Sequence, residues 1–255
     1  MKLSKVLKNT SVFFTLHEVS KLTPDMLKNP GKNHPNIWLK NFYKEYPRCP
    51  QIFLPVNKKV KKKDLFGTIL QRKSAPKLKK RNIDLATISE MLFFSAGINR
   101  IGSKNIPAKR MYPSGAARYP LEIYLIQKQD LLDFKTGIYH YNVKSHALEL
   151  LKKSGFIEEL KSIGGEINKD FLQNASMLLV ITAVFGRTEI KYGKSTYKLI
   201  LLEAGHLGQN ICLVSSALGI ASRPLGGFVD QKMNILLQLN EEREQALYII
   251  ALGRS

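Results

Sequence analysis

The apolar positions of the chain change period several times, and each change predicts an element. Leu85, Ile88 and Leu92 recur at helical spacing and predict a helix from Ile83 to Ser95, with Asp84 or Thr87 as cap and Gly97 as stop. Leu121 to Ile126 reads as a strand. Gly137 to Tyr141 and His146 to Leu150 read as hairpin partners about a turn holding Asn142 and Lys144. A short helix is expected from Phe156 to Ile163. Met177 to Phe185 is a continuous apolar run rich in Val and Ile, the pattern of a central strand. Leu199, Leu202, Leu207, Ile211, Val214 and Leu218 outline the buried face of a long helix from Thr196 to Leu218, ended by Gly219. A glycine-rich loop, Leu225 to Phe228, and a last apolar strand, Tyr248 to Leu252, complete the series. Helices interleave with strands, yet some neighbouring strands pair as hairpins. That predicts an α+β fold rather than a doubly wound sheet.

Residues 1–60 break the pattern. Six prolines, from Pro24 to Pro55, predict an extended arm or small appendage on a domain spanning 61–255. Trp38, Phe42, Tyr43 and Tyr46 offer anchors onto that domain. The chain of 255 residues, 44% hydrophobic, is long enough to bury a sizeable core. Cys49 and Cys212 form neither a disulfide framework nor a compact ligand cluster, so no metal site is expected and a reducing compartment fits. No secretory pattern follows the first lysines and no apolar run approaches a membrane span. A soluble, cytoplasmic protein without a membrane partner is expected.

Charge adds one feature. The formal net charge is +20, and residues 58–81 hold 11 basic side chains against one acid, Asp64, which makes half of it. Such a run can attract nucleic acid, an acidic partner or a phosphorylated ligand, or it can simply be solvated. Nucleic acid is not expected, because no recognition helix, zinc-finger spacing or aromatic RNA motif accompanies the run. The Rossmann glycine fingerprint and the Walker A pattern are also absent.

Four groups can carry chemistry. Arg72-Lys73-Ser74 offers two cations and a hydroxyl to a phosphate, or is part of the solvated run. Pro113-Ser114-Gly115, followed by Arg118-Tyr119-Pro120, has small residues that let a backbone approach a flat ring, or is an ordinary turn before a strand. Lys191-Tyr192-Gly193 puts a cation beside a phenol, which would lower the phenol's pKa, or is a surface lysine and a half-buried tyrosine. Pro224-Leu225-Gly226-Gly227-Phe228 can turn backbone N–H groups toward a ligand, or is a plain glycine turn. Arg254 is either structural or a further phosphate contact.

In order and spacing, these groups resemble the SagB-type, McbC-like branch of the nitroreductase superfamily. The resemblance starts at Leu16-His17-Glu18 and Ser20-Lys21 and runs through Arg72-Lys73-Ser74, Pro113-Ser114-Gly115 and Lys191-Tyr192-Gly193. Glu203-Ala204-Gly205-His206, Gln209-Asn210, Gly226-Gly227-Phe228 and Leu252-Gly253-Arg254 complete it. It implies a mixed, mostly antiparallel sheet flanked by helices, and an FMN cofactor in a homodimer. By the same resemblance, Arg72 and Ser74 would bind the FMN phosphate, with Arg254. Pro113, Ser114 and Gly115 would line the ring, and Gly226 and Gly227 would put a backbone N–H against it. Gln209 and Asn210 would lie behind or beside it, while His206 is equally well a packed core histidine.

Members of that branch oxidise thiazoline or oxazoline rings in ribosomally made peptides. The resemblance therefore implies Tyr192 as proton acceptor assisted by Lys191, a peptide substrate and a cyclodehydratase partner. Ser195 and Lys198 stand where the branch carries arginines, and Lys73 replaces the usual middle arginine of the phosphate motif. The alternative is an NAD(P)H-dependent nitroreductase or quinone reductase, which shares the same flavin loops.

Overall fold

The computed structural model describes residues 12–22, 24, 35–55, 63–103 and 106–255. In chain order the strands are β1 (Gln51–Phe53), β2 (Ile98–Arg100), β3 (Lys109–Arg110), β4 (Leu121–Gln127), β5 (Gly137–Asn142), β6 (Ala147–Lys152), β7 (Met177–Val184), β8 (Ala221–Leu225) and β9 (Glu244–Gly253). The helices are α1 (Val12–Val19), α2 (Leu65–Gln71), α3 (Leu85–Ala96), α4 (Ile157–Ile163), α5 (Gly165–Asn174), α6 (Gly186–Tyr192), α7 (Thr196–Ala217) and α8 (Asp230–Leu236).

The main sheet has the order β1-β6-β5-β4-β7-β9-β8, and every neighbouring pair is antiparallel. An isolated parallel bridge joins Ser74 to Ser222 of β8. The fold is thus α+β, with a mixed, mostly antiparallel sheet. β7 lies between β4 and β9 and is buried on both faces, which is why it reads as an unbroken apolar run. Its successive side chains serve opposite layers. Leu179 and Ile181 pack with Ile88, Leu92, Leu207 and Ile211 of α3 and α7. Leu178 and Val180 pack with Leu160, Leu172 and Met233 of α4, α5 and α8.

Several boundaries differ from the sequence reading. The long helix buries Ile200, Glu203, Ala204, Leu207, Ile211 and Cys212, while Leu202 is 56% exposed and Leu199 only half-buried. The run Leu199 to Leu202 offers two adjacent apolar stripes, and periodicity alone cannot choose between them. β8 forms just ahead of the expected loop, in a stretch for which no element was predicted; it is an edge strand and so tolerates Pro224. β9 begins four residues before the expected Tyr248. Within the basic run, α2 forms behind an Asp64 cap that accepts from the Phe66 and Gly67 amides. Lys58, Lys59, Lys61 and Lys62 lie outside the described residues.

The expected aromatic anchors do hold residues 35–46 against the sheet. Arg118 is buried, donates through Nη1 to the carbonyls of Ile37 and Trp38, and lies 5.2 Å from the Phe42 ring centre. Tyr46 meets His140 edge-on at 5.2 Å. His140 is fully buried between Glu149 (Nδ1, 2.8 Å) and Glu122 (Nε2, 3.0 Å), and Glu122 also pairs with Arg187 of α6. None of the described helices is long and apolar enough to cross a membrane.

Candidate cofactor and active site

The chain closes a basic recess where α2 ends. Arg72 caps α2, the next residues run beside β8, and Ser74 bridges Ser222 while the Ala75 amide donates to the Ser222 carbonyl at 2.9 Å. Lys79 and Arg254 exchange backbone hydrogen bonds of 2.7 and 2.9 Å, which brings the chain terminus alongside. The resulting cavity of 360 Å³ is lined by Gln71, Lys73, Ser216, Ser222 and Arg254 among others, with no acidic side chain in its wall. Arg72 is half-buried and acts electrostatically on Cys212 of α7. One arginine, a lysine and serine hydroxyls, with no acidic side chain among them, are a donor set that suits a phosphate group. The residues therefore fit the phosphate end of FMN.

The small-residue loop lies elsewhere along α7. Ser114 Oγ donates to Glu203 Oε1 at 2.9 Å, and the Gly115 amide donates to the same oxygen at 3.0 Å. Ser114 Oγ also accepts from the Tyr119 amide at 2.8 Å. Ala116, Ala117 and Tyr119 all have left-handed backbone angles, with φ of 50°, 54° and 46°. Each costs about 1–3 kcal/mol without glycine, so the surrounding bonds must hold the loop in shape. Positions 203 and 216 of α7 are about 20 Å apart along the axis at the helical rise. One helix thus borders the basic recess and the small-residue loop at separate heights.

Lys191 and Tyr192 close α6, an element the sequence reading lacked, because Gly186 to Tyr192 has no apolar stripe. The Lys191 ammonium is 4.6 Å from the Trp38 ring centre and 5.8 Å from that of Tyr192. Burial raises the Tyr192 pKa above its ordinary value, the nearby Glu203 raises it further, and Arg118 is the cation that opposes them. This corrects the expected lowering by Lys191. Lys191 packs its charge on an indole, and its own pKa is lowered by burial and by Arg118. Tyr192 borders the small-residue loop: a Cβ on Gly115 would lie 3.4 Å from its hydroxyl.

The other expected residues scatter around these two places. Pro113 and Gln209 are exposed. Asn210 donates to the carbonyls of Ser95 and Met111, both at 3.3 Å, so it fastens α7 to the chain leading into the loop. His206 is exposed and is not a core histidine. Gly226 and Gly227 follow β8 in an exposed turn, and the Gly227 carbonyl accepts from Asn168. Glu203 and Arg118 were quoted only as parts of motifs. The available signal for Glu203 was a carboxylate in register with Ile200, Leu207 and Ile211 on the buried stripe.

A model of the nitroreductase family matches residues 69–254, and the chain belongs to that family of oxidoreductases. It is 27% identical over 205 residues to MJ1384 of Methanocaldococcus jannaschii, a protein assigned as a nitroreductase, covering 80% of this chain and 96% of that one. It is also 27% identical over 177 residues to the microcin B17-processing protein McbC of Escherichia coli, covering 68% of this chain and 63% of McbC. A crystal structure from Anabaena variabilis, likewise assigned as a nitroreductase, superposes with a TM-score of 0.74 at 25% identity. It covers 96% of this chain, which spans 46% of that longer one. A chain of the Escherichia coli microcin synthetase McbBCD complex shares the fold, with a TM-score of 0.63 over all of this chain and 98% of its own length, at 22% identity.

Proposed function

We propose that the chain is an FMN-dependent oxidoreductase that takes electrons from a reduced nicotinamide donor and gives them to a small planar electrophile, such as a quinone or a nitroaromatic compound. Family membership over residues 69–254 supports the redox class. The observation that carries the cofactor is the recess free of acidic side chains that joins Lys73 and Arg254 with Ser222, next to the Ser74 bridge. When bound, FMN would supply the two-electron chemistry. Arg72, Ser74 and Arg254 would hold its phosphate, Pro113, Ser114 and Gly115 would line its ring with Gly226 and Gly227, and Gln209 would lie beside it.

Tyr192 favours reduction of an electrophile over ring oxidation. Its hydroxyl is kept protonated near neutral pH, so it can donate a hydrogen bond or a proton to an oxygen gaining electrons. A ring-oxidising role would need it as an acceptor. The azoline reading keeps one support of its own, the likeness to McbC over 68% of this chain together with the adjacent Lys191 and Tyr192. A peptide substrate and a cyclodehydratase partner belong to that second reading.

A homodimer is part of the proposal. α1 and α2 leave Phe13, Phe66 and Leu70 at 76%, 75% and 87% exposure, and α7 adds Leu202. Exposed apolar side chains of this size are candidates for cover by a second copy. The phosphate recess and ring-lining loop of one chain would then serve the two flavins of a twofold pair.

Anaerobic mixing separates the two enzymatic readings. NADPH or NADH should bleach the flavin absorbance of the FMN-loaded protein, and a quinone should restore it. Bleaching by an azoline-containing peptide but by neither nicotinamide would overturn this reading in favour of ring oxidation.

A further inference from the structure

Glu203 is a buried acid outside the ion pairs of the described residues. It is 4% exposed, and its Oε2 is buried without a hydrogen-bond partner. Its other oxygen holds both Ser114 and the Gly115 amide. A dry carboxylate with one unsolvated oxygen is costly when ionised and tolerable when protonated. The loop it holds contains three left-handed residues that are not glycine. The shape of that loop and the proton on Glu203 are therefore linked.

We propose that Glu203 is the positioning residue of the ring-lining loop, holding residues 114–119, with Ala116, Ala117 and Tyr119 left-handed, in shape while it carries a proton and letting the loop open when it loses that proton to solvent. The link to the flavin rests on the assignment of this loop to the FMN ring; the link to the loop does not. Groups on each side act on Glu203. Ser114 and Gly115 of the loop and Arg110 of β3 favour its charge, while burial opposes it. Tyr112 and Tyr119 in and before the loop, and Tyr192 of α6, are the phenols coupled to it.

The sign follows from linkage. Burial pushes Glu203 up to about 7, against an ordinary value of 4.5. The closed loop therefore binds the proton more tightly than an open, hydrated one. Its advantage is complete below 4.5 and is lost as pH rises through 7. Between pH 6 and pH 8 the closed-to-open ratio should fall about tenfold.

Hydrogen exchange on the flavin-free protein reads this directly, at the amides of Gly115, Ala117, Arg118 and Tyr119, after correction for intrinsic rates. Protection should fall about tenfold from pH 6 to pH 8 in the parent and stay level in Glu203→Gln, which keeps the accepting Oε1 but cannot ionise. Parallel falls in both proteins, or no fall in the parent, overturn the proposal. Ser114→Ala gives an independent readout if the glutamine variant does not fold. Removing a donor to the carboxylate should move the fall to higher pH, and an unmoved profile counts against the proposal. FMN titration of the same proteins keeps the two assignments apart. A pH-dependent loop in a protein that binds no FMN leaves the role of Glu203 standing and removes the flavin. FMN binding with flat loop protection does the reverse.

Discussion

Lys191 holds its ammonium over Trp38, 4.6 Å from the ring centre, and the Trp38 indole donates in turn to the carbonyl of Ile190. The last turn of α6 is thereby tied to the arm that precedes β1. Trp38 is the single tryptophan of the chain, so its fluorescence reports the surroundings of this one indole. Lys191→Ala should change the Trp38 emission and leave the Tyr192 phenol titrating above its ordinary value of 10, because burial and Glu203 set that value. Ultraviolet phenolate absorbance, with Tyr192→Phe as the reference, checks it. A Tyr192 pKa that starts below 10 and climbs when Lys191 is removed would restore Lys191 as the activating cation.

Arg72 and Lys77 differ in what surrounds them. Arg72 is half-buried at the end of α2 beside Cys212, whereas Lys77 is exposed. A charge-assisted hydrogen bond in partial burial contributes about 1.5–3 kcal/mol, or roughly 10- to 150-fold in affinity. An exposed lysine adds only a screened field. FMN dissociation constants should rise by that range in Arg72→Ala and less than about threefold in Lys77→Ala. Equal changes would mean that the recess is only a solvated charge run.

Gly253 has no room for a side chain. A Cβ there would lie 2.7 Å from the Lys79 carbonyl, which is backbone and is already bonded to Arg254. Gly253→Ala should destabilise the fold by about 1–3 kcal/mol and loosen the recess. Urea midpoints give the first effect and FMN retention in the still-folded protein gives the second. Retention at the parental level would show that the Lys79–Arg254 pairing does not shape the phosphate site.

His140 carries the charge balance of β4, β5 and β6. Replacing it with leucine removes the partner shared by Glu122, which keeps Arg187, and Glu149, which keeps Asn142, and should cost up to about 3–5 kcal/mol. Its pKa is raised by the two carboxylates although burial opposes this. Its contribution is therefore full below the ordinary histidine value and is lost as pH rises through the raised one. Glu122 is lowered to about 2, chiefly by Arg187 and His140 against the penalty of burial, so its contribution is present above 4.5 and fades as pH falls toward 2. Urea unfolding across pH should lose its alkaline dependence in His140→Leu. An unchanged profile would place the titration elsewhere.

The layers were legible where apolar periodicity was clean. β7 and the β5–β6 hairpin were visible in sequence because they are bounded by turns and largely buried, and the long α7 because one face of it is buried. The misses share a cause. α6, β8 and the start of β9 are rich in charged or polar residues, or contain proline, and tertiary pairing rather than local pattern makes them regular. The candidate phosphate residues were readable as a motif, and the bridge between Ser74 and Ser222 brings them together. The electrostatics of Tyr192 were not readable. Sequence adjacency suggested Lys191 as its cation, whereas folding brings Arg118 and Glu203, 74 positions before and 11 after it, into range.

The central claim is that the recess and loop hold FMN in a twofold protein. Cofactor extraction and mass measurement on the purified protein, with light scattering of the same sample, test it most directly. The expected result is a yellow protein releasing FMN rather than FAD, at one per chain, with twice the 28.9 kDa chain mass. A colourless protein that cannot be reconstituted with FMN would contradict the account.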